Sequence, residues 1–449
     1  MKGRIFICII CVAIGFSSCK KDDAPAFEQS ADERLNESLT SYQNKLVTAD
    51  NGWKAFIYPK GGGTFFFYFK FTAQNRVKMY STFDSLSAVT PRESSYRLKA
   101  LQQPSLIFDT YSYVHALADP NENIIVNAKI NGGPVGVGLQ SDFEFYFDST
   151  YTDSITLIGR FNGTRAVLIR ATKQEADSYD NKDLGKGFLL QNLTKYLNYF
   201  KRVTIGGVNY EINVNQDERT ITFSWLEGGN LRTFTTAFYY SGTGVSLVNS
   251  LVNGAQTITG FSNLTWDPAT TTLGFTVNGA STTVVGSGQP LKVDLGGPLR
   301  WWQFAVDNGN DYWISFDGIH KDGIDDYFNF KTTVPKYQYM HFWPRYNVAG
   351  STWYDIFGII YVNAAGTGLI QYGTAPVPTF TTDGRITFTY LGSLGTSPNG
   401  ATTTKMTALT NSVRSIITQP NGFYLIQTGP QSYDMVSALD GKTWISWVF

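Results

Sequence analysis

Hydrophobic and polar residues alternate with a period of two along most of this chain, which predicts antiparallel β-strands. The segment SDFEFYFD places three phenylalanines on one face and polar side chains on the other: Phe143, Phe145 and Phe147 inward, and Asp142, Glu144, Tyr146 and Asp148 outward. The segment TFFFYFKF at residues 64–71 alternates in the same way. Further strands are predicted at 94–101, 105–117, 153–161 and 165–172, separated by turn signals such as KGGG, DPNEN and FNGT.

Two segments have helical rather than strand periodicity. In the first, Ser30 and Glu33 form a capping box, apolar residues follow on one face, and Asn51-Gly52 marks the end. In the second, LLQNLTKYLNYF at residues 189–200, apolar residues recur at helical spacing. The sequence thus predicts a mainly β protein. Its antiparallel β-barrel or sandwich domains have a short N-terminal helix and a second helix at a domain boundary.

The same pattern predicts how the chain divides into domains. A helix plus an antiparallel β domain is expected over 30–180, a helix plus a second β domain over 181–300, and an aromatic-rich β region over 301–449. Whether residues 181–449 form one domain or two is left open by the sequence.

The N-terminus has the layout of a lipoprotein signal. Lys2 and Arg4 precede about a dozen apolar residues, a run typical of a signal peptide and shorter than the roughly 20 that a transmembrane helix needs. We therefore expect a signal peptide over 1–18, lipidation at Cys19, and a polar tether over 19–29. The alternative is an ordinary secreted protein with one unpaired thiol.

Three segments carry a resemblance to a known family: residues 27–59, residues 93–120 and SDFEFYFD. Together they resemble a family of Bacteroidota surface lipoproteins catalogued as a domain of unknown function. The sequence KKDDAP after Cys19 is similar to export signals of such lipoproteins. The resemblance implies an outer-membrane location facing the cell exterior and association with SusC/SusD-type systems that import glycans or peptides. It implies no catalytic residues.

Composition and motifs exclude several function classes. The formal net charge is zero, without the clustered positive charge that nucleic-acid binding requires. The sequence contains no zinc-protease helix, nucleophile elbow, phosphate loop or dinucleotide fingerprint. Two candidate chemistries remain: His115 in a predicted strand, more simply a surface or barrel-lining residue, and a glycosidase pair among Asp142, Glu144 and Asp148, more simply a solvated strand face. No catalytic residue is assigned.

The strongest candidate for ligand binding is an aromatic strand. Residues 301–353 contain five of the ten tryptophans and two of the three histidines. Within them, the alternation of PKYQYMHFWPRY places four residues on one face of a strand, which we predict to bind ligand: Tyr337, Tyr339, His341 and Trp343. The alternative is a strand buried on both faces.

The nearby segments DNGND and FDGIHKDGIDDYF are rich in carboxylates and glycines. Such loops can hold Ca²⁺, here near Asp317, Asp322 and Asp325, but they are also typical of tight turns, which is the preferred interpretation. A zinc site from His320, Asp317 and Asp322 lacks further nitrogen or sulfur ligands nearby. No metal or other cofactor is predicted.

These observations together predict a surface-exposed, lipid-anchored outer-membrane protein that binds a glycan or a peptide as an accessory of nutrient uptake. A hydrolase acting on the same substrates and a structural or assembly protein of the cell envelope are the two alternatives.

Overall fold

The computed structural model describes residues 30–125, 136–309, 311–347, 353–363, 366–394 and 401–449. It confirms a mainly β fold built from antiparallel sheets. The 25 strands in these ranges form three sheets that follow one another along the chain.

The first sheet is a closed barrel of eight strands in sequence order. The strands are β1 (Trp53–Tyr58), β2 (Phe65–Phe71), β3 (Arg76–Ser81), β4 (Arg92–Ala100), β5 (Pro104–Phe108), β6 (Glu144–Thr150), β7 (Ser154–Gly159) and β8 (Arg165–Arg170). Antiparallel pairing of β1 with β8 closes it.

The second sheet is also a closed eight-stranded barrel. The strands are β9 (Phe200–Ile205), β10 (Val208–Asn215), β11 (Thr220–Glu227), β12 (Asn230–Ser241), β13 (Gly244–Asn253), β14 (Gln256–Asp267), β15 (Thr272–Val277) and β16 (Ala280–Ser287). It closes through pairing of β16 with β9.

The third sheet has nine strands in the order β17-β19-β20-β21-β22-β23-β24-β25-β18. The strands are β17 (Trp313–Ser315), β18 (His320–Lys321), β19 (Tyr337–Asn347), β20 (Trp353–Val362), β21 (Leu369–Phe380), β22 (Ile386–Leu394), β23 (Phe423–Gly429), β24 (Ser432–Ser437) and β25 (Thr443–Val448). Ile314 of β17 also pairs with Val448 of β25, so all strands except β18 form a closed ring of pairings, here called the third barrel.

Helices connect and cover the barrels. They are α1 (Ala31–Val47), α2 (Tyr113–Ala116), α3 (Glu122–Ile125), α4 (Lys173–Asp180), a 3₁₀ helix (Asp183–Lys195), α5 (Gly297–Asp307), α6 (Phe330–Thr333) and α7 (Ala401–Ile417).

The N-terminal helix forms as its sequence predicts. The Glu33 amide donates to Ser30 Oγ at 3.2 Å, and the Ser30 amide donates to the Glu33 carboxylate at 2.8 Å, so the capping box satisfies two otherwise unpaired groups. At the other end Leu46 is buried in the first barrel's core, while Tyr42 stacks on Phe147 at 3.9 Å.

The boundary segment differs from the prediction in detail. The helix expected over 189–200 is a 3₁₀ helix that ends at Lys195, and Phe200 is the first residue of β9. Phe188, Leu190 and Leu193 enter the second barrel's core cluster, so burial in the barrel accounts for the apolar pattern. A helix that the sequence reading missed, α4, precedes it and begins with its own capping box of Thr172 and Glu175.

The first two barrels share one hydrophobic cluster. Phe66 and Tyr68 point away from the first barrel's interior, yet both are buried because the α4 residue Tyr179 packs on them at 5.6 and 5.0 Å. On the second barrel, Arg219 is buried, donates to the Phe83 carbonyl at 3.3 Å, and lies over the rings of Phe65 and Tyr240. The joint core therefore crosses the predicted boundary at residue 180.

The second and third barrels meet through polar contacts. The Tyr199 amide donates to the Gly441 carbonyl at 2.7 Å, and its hydroxyl donates to the Asp434 carboxylate at 2.6 Å. Asn198 Nδ2 donates to the Asp440 carbonyl at 2.8 Å. The Tyr199 ring also packs edge-on against Trp444 at 5.4 Å.

Candidate functional site

The aromatic strand predicted from the sequence is β19, and neighbouring strands extend its aromatic face. Strand β17 pairs with β19 so that Trp313 lies opposite Phe342 and Ser315 opposite Met340. Trp313, Met340 and Phe342 point into the core and are fully buried. The alternate residues of both strands therefore point outward.

Six rings on this outer face form what we call the aromatic strip: Tyr312, Phe316, Tyr339, Trp343, Tyr346 and Tyr354. Tyr312 contacts Tyr339 at 6.3 Å and Trp343 at 4.9 Å between ring centroids. Trp343 contacts Tyr346 at 4.8 Å, and Tyr346 contacts Tyr354 of β20 at 6.1 Å. Phe316 is 54% exposed and the other five rings are half-buried, so the strip is in part accessible to solvent.

The strip is not flat. The planes of Tyr312 and Tyr339 differ by 18°, whereas those of Tyr312 and Trp343 differ by 46° and those of Trp343 and Tyr346 by 69°. The rings thus turn relative to one another along the strip.

His341 lies beneath the strip and not on its surface. Its side chain is only 2% exposed, between Tyr312 at 5.3 Å and Trp343 at 6.1 Å. On β20 it faces Gly358, where an added Cβ would lie 2.4 Å from its Nε2. This burial lowers the pKa of His341 to about 4, so the imidazole is neutral at physiological pH.

Tyr337 does not share this face, contrary to the prediction. Two residues of β19, Tyr337 and Tyr339, pair with the adjacent residues Tyr361 and Ile360 of β20, which leaves Gln338 as the extra residue of a bulge. The bulge reverses the alternation, so Tyr337 packs on the core residue Phe330 at 5.8 Å. The structure therefore brings three of the four predicted residues together and separates the fourth.

The sequence alone does not predict four of the strip residues: Tyr312, Phe316, Tyr346 and Tyr354. Tyr312 and Phe316 flank a strand of only three residues, too short for the alternation to be recognised. Tyr346 and Tyr354 were within the aromatic-rich region, but only the pairing of β19 with β20 shows that they face each other.

The carboxylates considered for Ca²⁺ have separate partners. Asp317 pairs with Lys331 at 3.0 Å, Asp325 with His320 Nδ1 at 2.5 Å, and Asp322 lies 3.9 Å from Lys321. In the part of the chain that the structure describes, no group of three or more His, Cys, Asp or Glu side chains could hold a metal ion. Among the described residues the Ca²⁺ alternative has no ligand cluster to support it, and tight turns remain the preferred interpretation of these segments.

Two side chains of the first barrel are oriented differently from the prediction. Asp142, expected on the solvated face, is 3% exposed, and its carboxylate accepts from the amides of Phe161, Asn162 and Thr164 at 2.9–3.1 Å. Phe143, expected inward, is 38% exposed because β6 begins only at Glu144. Asp142 thus holds the β7–β8 turn, a structural role that explains its burial.

His115 lies on the short helix α2 and not in a strand. The predicted strand over 105–117 ends at Phe108, because the chain turns and Ser112 caps α2. The imidazole stacks between Tyr111 at 5.7 Å and Phe143 at 4.7 Å.

Phe143 also lines a cavity of about 700 Å³ at this end of the first barrel. Phe161, on the turn that Asp142 holds, lines the same cavity and is 93% exposed.

The predicted lipidation site, Cys19, lies outside the described residues. Over the described ranges, no helix is long and apolar enough to cross a membrane.

Comparisons with known proteins identify a family but not an activity. No curated protein matches this chain. A solved structure, described as the octameric penicillin-binding protein homologue from Pyrococcus abyssi, is 11% identical over 35% of this chain, with a TM-score of 0.16. This chain covers 38% of that chain, and so weak a likeness carries no argument. The family model described as a domain of unknown function (DUF4302) matches residues 23–268, which is more than half of the sequence, and the chain therefore belongs to the DUF4302 family.

Proposed function

We propose that this protein is a lipid-anchored, surface-exposed outer-membrane lipoprotein that binds glycan through the aromatic strip of its third barrel. Peptide is the second ligand class. In this proposal the protein is an accessory of a SusC/SusD-type uptake system, and Cys19 carries the lipid anchor.

The observation that carries the proposal is the row of partly accessible rings on β17, β19 and β20. Aromatic faces stack on the apolar faces of sugar rings, and tyrosine hydroxyls can add hydrogen bonds at the edge of the ring. The hydroxyls of Tyr312 and Tyr339 lie 3.4 Å apart, so they present two donor and acceptor groups side by side. If the strip were part of a buried core, each tyrosine hydroxyl would need a hydrogen-bonding partner within the protein. A row of half-exposed rings that carry hydroxyls is instead suited to contact a ligand.

The tilt of the rings favours a particular kind of glycan. A flat crystalline polysaccharide needs coplanar rings, whereas the planes in the strip differ by up to 69° between neighbours. We therefore propose single glycan chains as the ligand.

Isothermal titration of a soluble form that begins after Cys19 tests the proposal. The ligands are maltohexaose, cellohexaose, xylohexaose, mannohexaose and a mixture of peptides. Replacing Trp343 by Ala is expected to weaken glycan binding about tenfold, the value of one stacked ring. The matched control is Tyr58→Ala, a 36% exposed ring on the first barrel, which should leave the affinity unchanged.

Analysis of the ligand after titration separates binding from hydrolysis. Intact ligand supports a binding protein, whereas cleaved ligand would favour the hydrolase alternative. Equal affinity for wild type and Trp343→Ala would refute the aromatic strip as the site.

One observation favours a second candidate function, contact with another envelope protein. Phe161 is 93% exposed on a turn that three hydrogen-bonded amides hold in place, beside a cavity that Phe143 and Val137 also line. Contiguous exposed apolar side chains, such as Phe161, Phe143 and Val137 around this cavity, are typical of interaction surfaces. If this function is correct, Phe161→Ser abolishes co-purification with a partner from outer membranes without changing glycan binding.

A further inference from the structure

A second candidate site lies where the second and third barrels meet, around Trp444 of β25. Trp444 lines two cavities. One, of about 240 Å³, is also lined by Tyr199, Lys201, Glu211 and Asp434. The other, of about 430 Å³, is lined by a loop of the third barrel and by β25 itself. No residue of the aromatic strip is among those that line either cavity.

The larger cavity contains a histidine that is held in one orientation. The His320 ring stacks on Trp444 with 3.5 Å between centroids and 19° between planes. Its Nδ1 lies 2.5 Å from Asp325 Oδ1, and a carboxylate in this position favours the tautomer with the proton on Nδ1. In this tautomer Nε2 carries no proton, and its lone pair can accept a hydrogen bond.

Among the described residues, no hydrogen-bond donor reaches that lone pair. His320 Nε2 is buried, and within the described residues it has no hydrogen-bonding partner. Buried polar atoms are almost always hydrogen-bonded, so an unpaired acceptor on a residue that lines a cavity points to a donor supplied from outside the chain. A ligand hydroxyl is such a donor.

The remaining polar groups of this cavity suit hydroxyl groups as well. Asp317, Asp325 and Ser446 offer acceptor oxygens, and Lys331, which pairs with Asp317 at 3.0 Å, offers a donor. An anionic ligand would be repelled, because the carboxylates that line this cavity outnumber its single lysine. A strongly apolar ligand would remove water from these polar groups without replacing the hydrogen bonds that water makes.

The smaller cavity, which Trp444 also lines, contains hydrogen-bond donors and acceptors of the same kinds. Tyr199 donates its hydroxyl to Asp434 at 2.6 Å, and Lys201 donates to the Tyr199 carbonyl at 3.2 Å. Burial raises the pKa of both Glu211 and Asp434 and lowers that of Lys201, as expected for a cleft with little water. Mixed donors and acceptors around an indole ring are the usual components of a saccharide site.

We propose that the cleft around Trp444, with His320 and Asp325, is a second saccharide-binding site, distinct from the aromatic strip. The choice of saccharide as ligand rests on the proposed function, whereas the position of the site rests on the cavities and on His320. In this site His320 Nε2 accepts a hydrogen bond from a ligand hydroxyl, and Asp325 is a positioning residue that fixes the imidazole.

Titration of the same soluble form, which keeps every described residue, tests this site. The probes are the four neutral hexasaccharides named above and spermidine, a cation that the carboxylates could also attract. Because the Asp325 side chain is 91% exposed, Asp325→Ala should not disturb folding. It is expected to weaken binding at this site about threefold to tenfold, the value of one hydrogen bond. The matched control is Asp153→Ala, a 75% exposed carboxylate on the first barrel, which should change nothing.

His320→Ala should abolish one of two binding events and leave the event that Trp343→Ala removes. Wild-type affinity in both Asp325→Ala and His320→Ala overturns the second site, while the proposed function stands if Trp343→Ala still loses binding. Loss of binding in His320→Ala and Asp325→Ala but not in Trp343→Ala refutes the aromatic strip and supports the second site. Binding of spermidine but of no saccharide overturns the choice of ligand class.

Discussion

His341 makes the stability of the third barrel depend on pH in a way that the structure specifies. The side chain is 2% exposed and packed against Gly358, and its Nε2 has no hydrogen-bonding partner among the described residues. A proton added to the imidazole must therefore be accommodated without water. Unfolding releases this constraint and restores an ordinary pKa near 6.5.

The magnitude follows from the two pKa values. Burial lowers the pKa of His341 to about 4 in the folded state, so the unfolded state binds more protons between pH 6.5 and 4. The stability is fully present above pH 6.5, falls as the pH drops through this window, and levels off below pH 4. Since one pKa unit corresponds to about 1.36 kcal/mol, the total loss is roughly 3 kcal/mol, of which about 2.5 kcal/mol is lost by pH 4.5.

The assay compares urea unfolding of wild type and His341→Leu at pH 7.5 and pH 4.5. Other titrating groups cancel in the difference between the two proteins. The free energy of unfolding of His341→Leu relative to wild type should rise by about 2.5 kcal/mol from pH 7.5 to pH 4.5. A difference that does not change with pH would refute the reasoning, as would an NMR titration that places the midpoint of His341 near 6.5.

Three further predictions concern single side chains. Gly358→Ala should destabilise the third barrel because its Cβ would lie 2.4 Å from His341 Nε2. A double-mutant cycle with His341→Ala should give a coupling energy above about 1 kcal/mol, and additive effects would contradict the contact. Arg219→Ala should lower the free energy of unfolding by about 2–4 kcal/mol and split the joint calorimetric transition of the first two barrels into two. An unchanged thermogram would show that the buried guanidinium does not join the two barrels. Asp142→Ala should cost about 2 kcal/mol and speed hydrogen exchange of the three amides that it accepts from, whereas unchanged exchange would disprove its role in the turn.

Local sequence signals predicted the fold class well. The capping box of Ser30 and Glu33 predicted α1, and alternation predicted the strands of the first barrel, because both depend on residues close in sequence. The capping box of Thr172 and Glu175 carried the same information for α4 and was overlooked.

Features that depend on a single inserted residue or on distant contacts could not be predicted. The bulge at Gln338 turns Tyr337 toward the core, and alternation alone cannot show where a bulge lies. The burial of Asp142 depends on a turn some twenty residues later. The cleft around Trp444 combines residues from 193 to 446, which only the packing of two barrels brings together.

The central claim is that the aromatic strip binds glycan, and titration of Tyr339→Ala tests it most directly. Tyr339 is half-buried in the strip, contacts Tyr312 and Phe316, and is not part of the core cluster, so its removal should leave the barrel folded. The account predicts that the best-binding hexasaccharide loses about tenfold in affinity, while Tyr58→Ala binds as wild type does. Equal affinity in wild type, Tyr339→Ala and Tyr58→Ala would contradict the account.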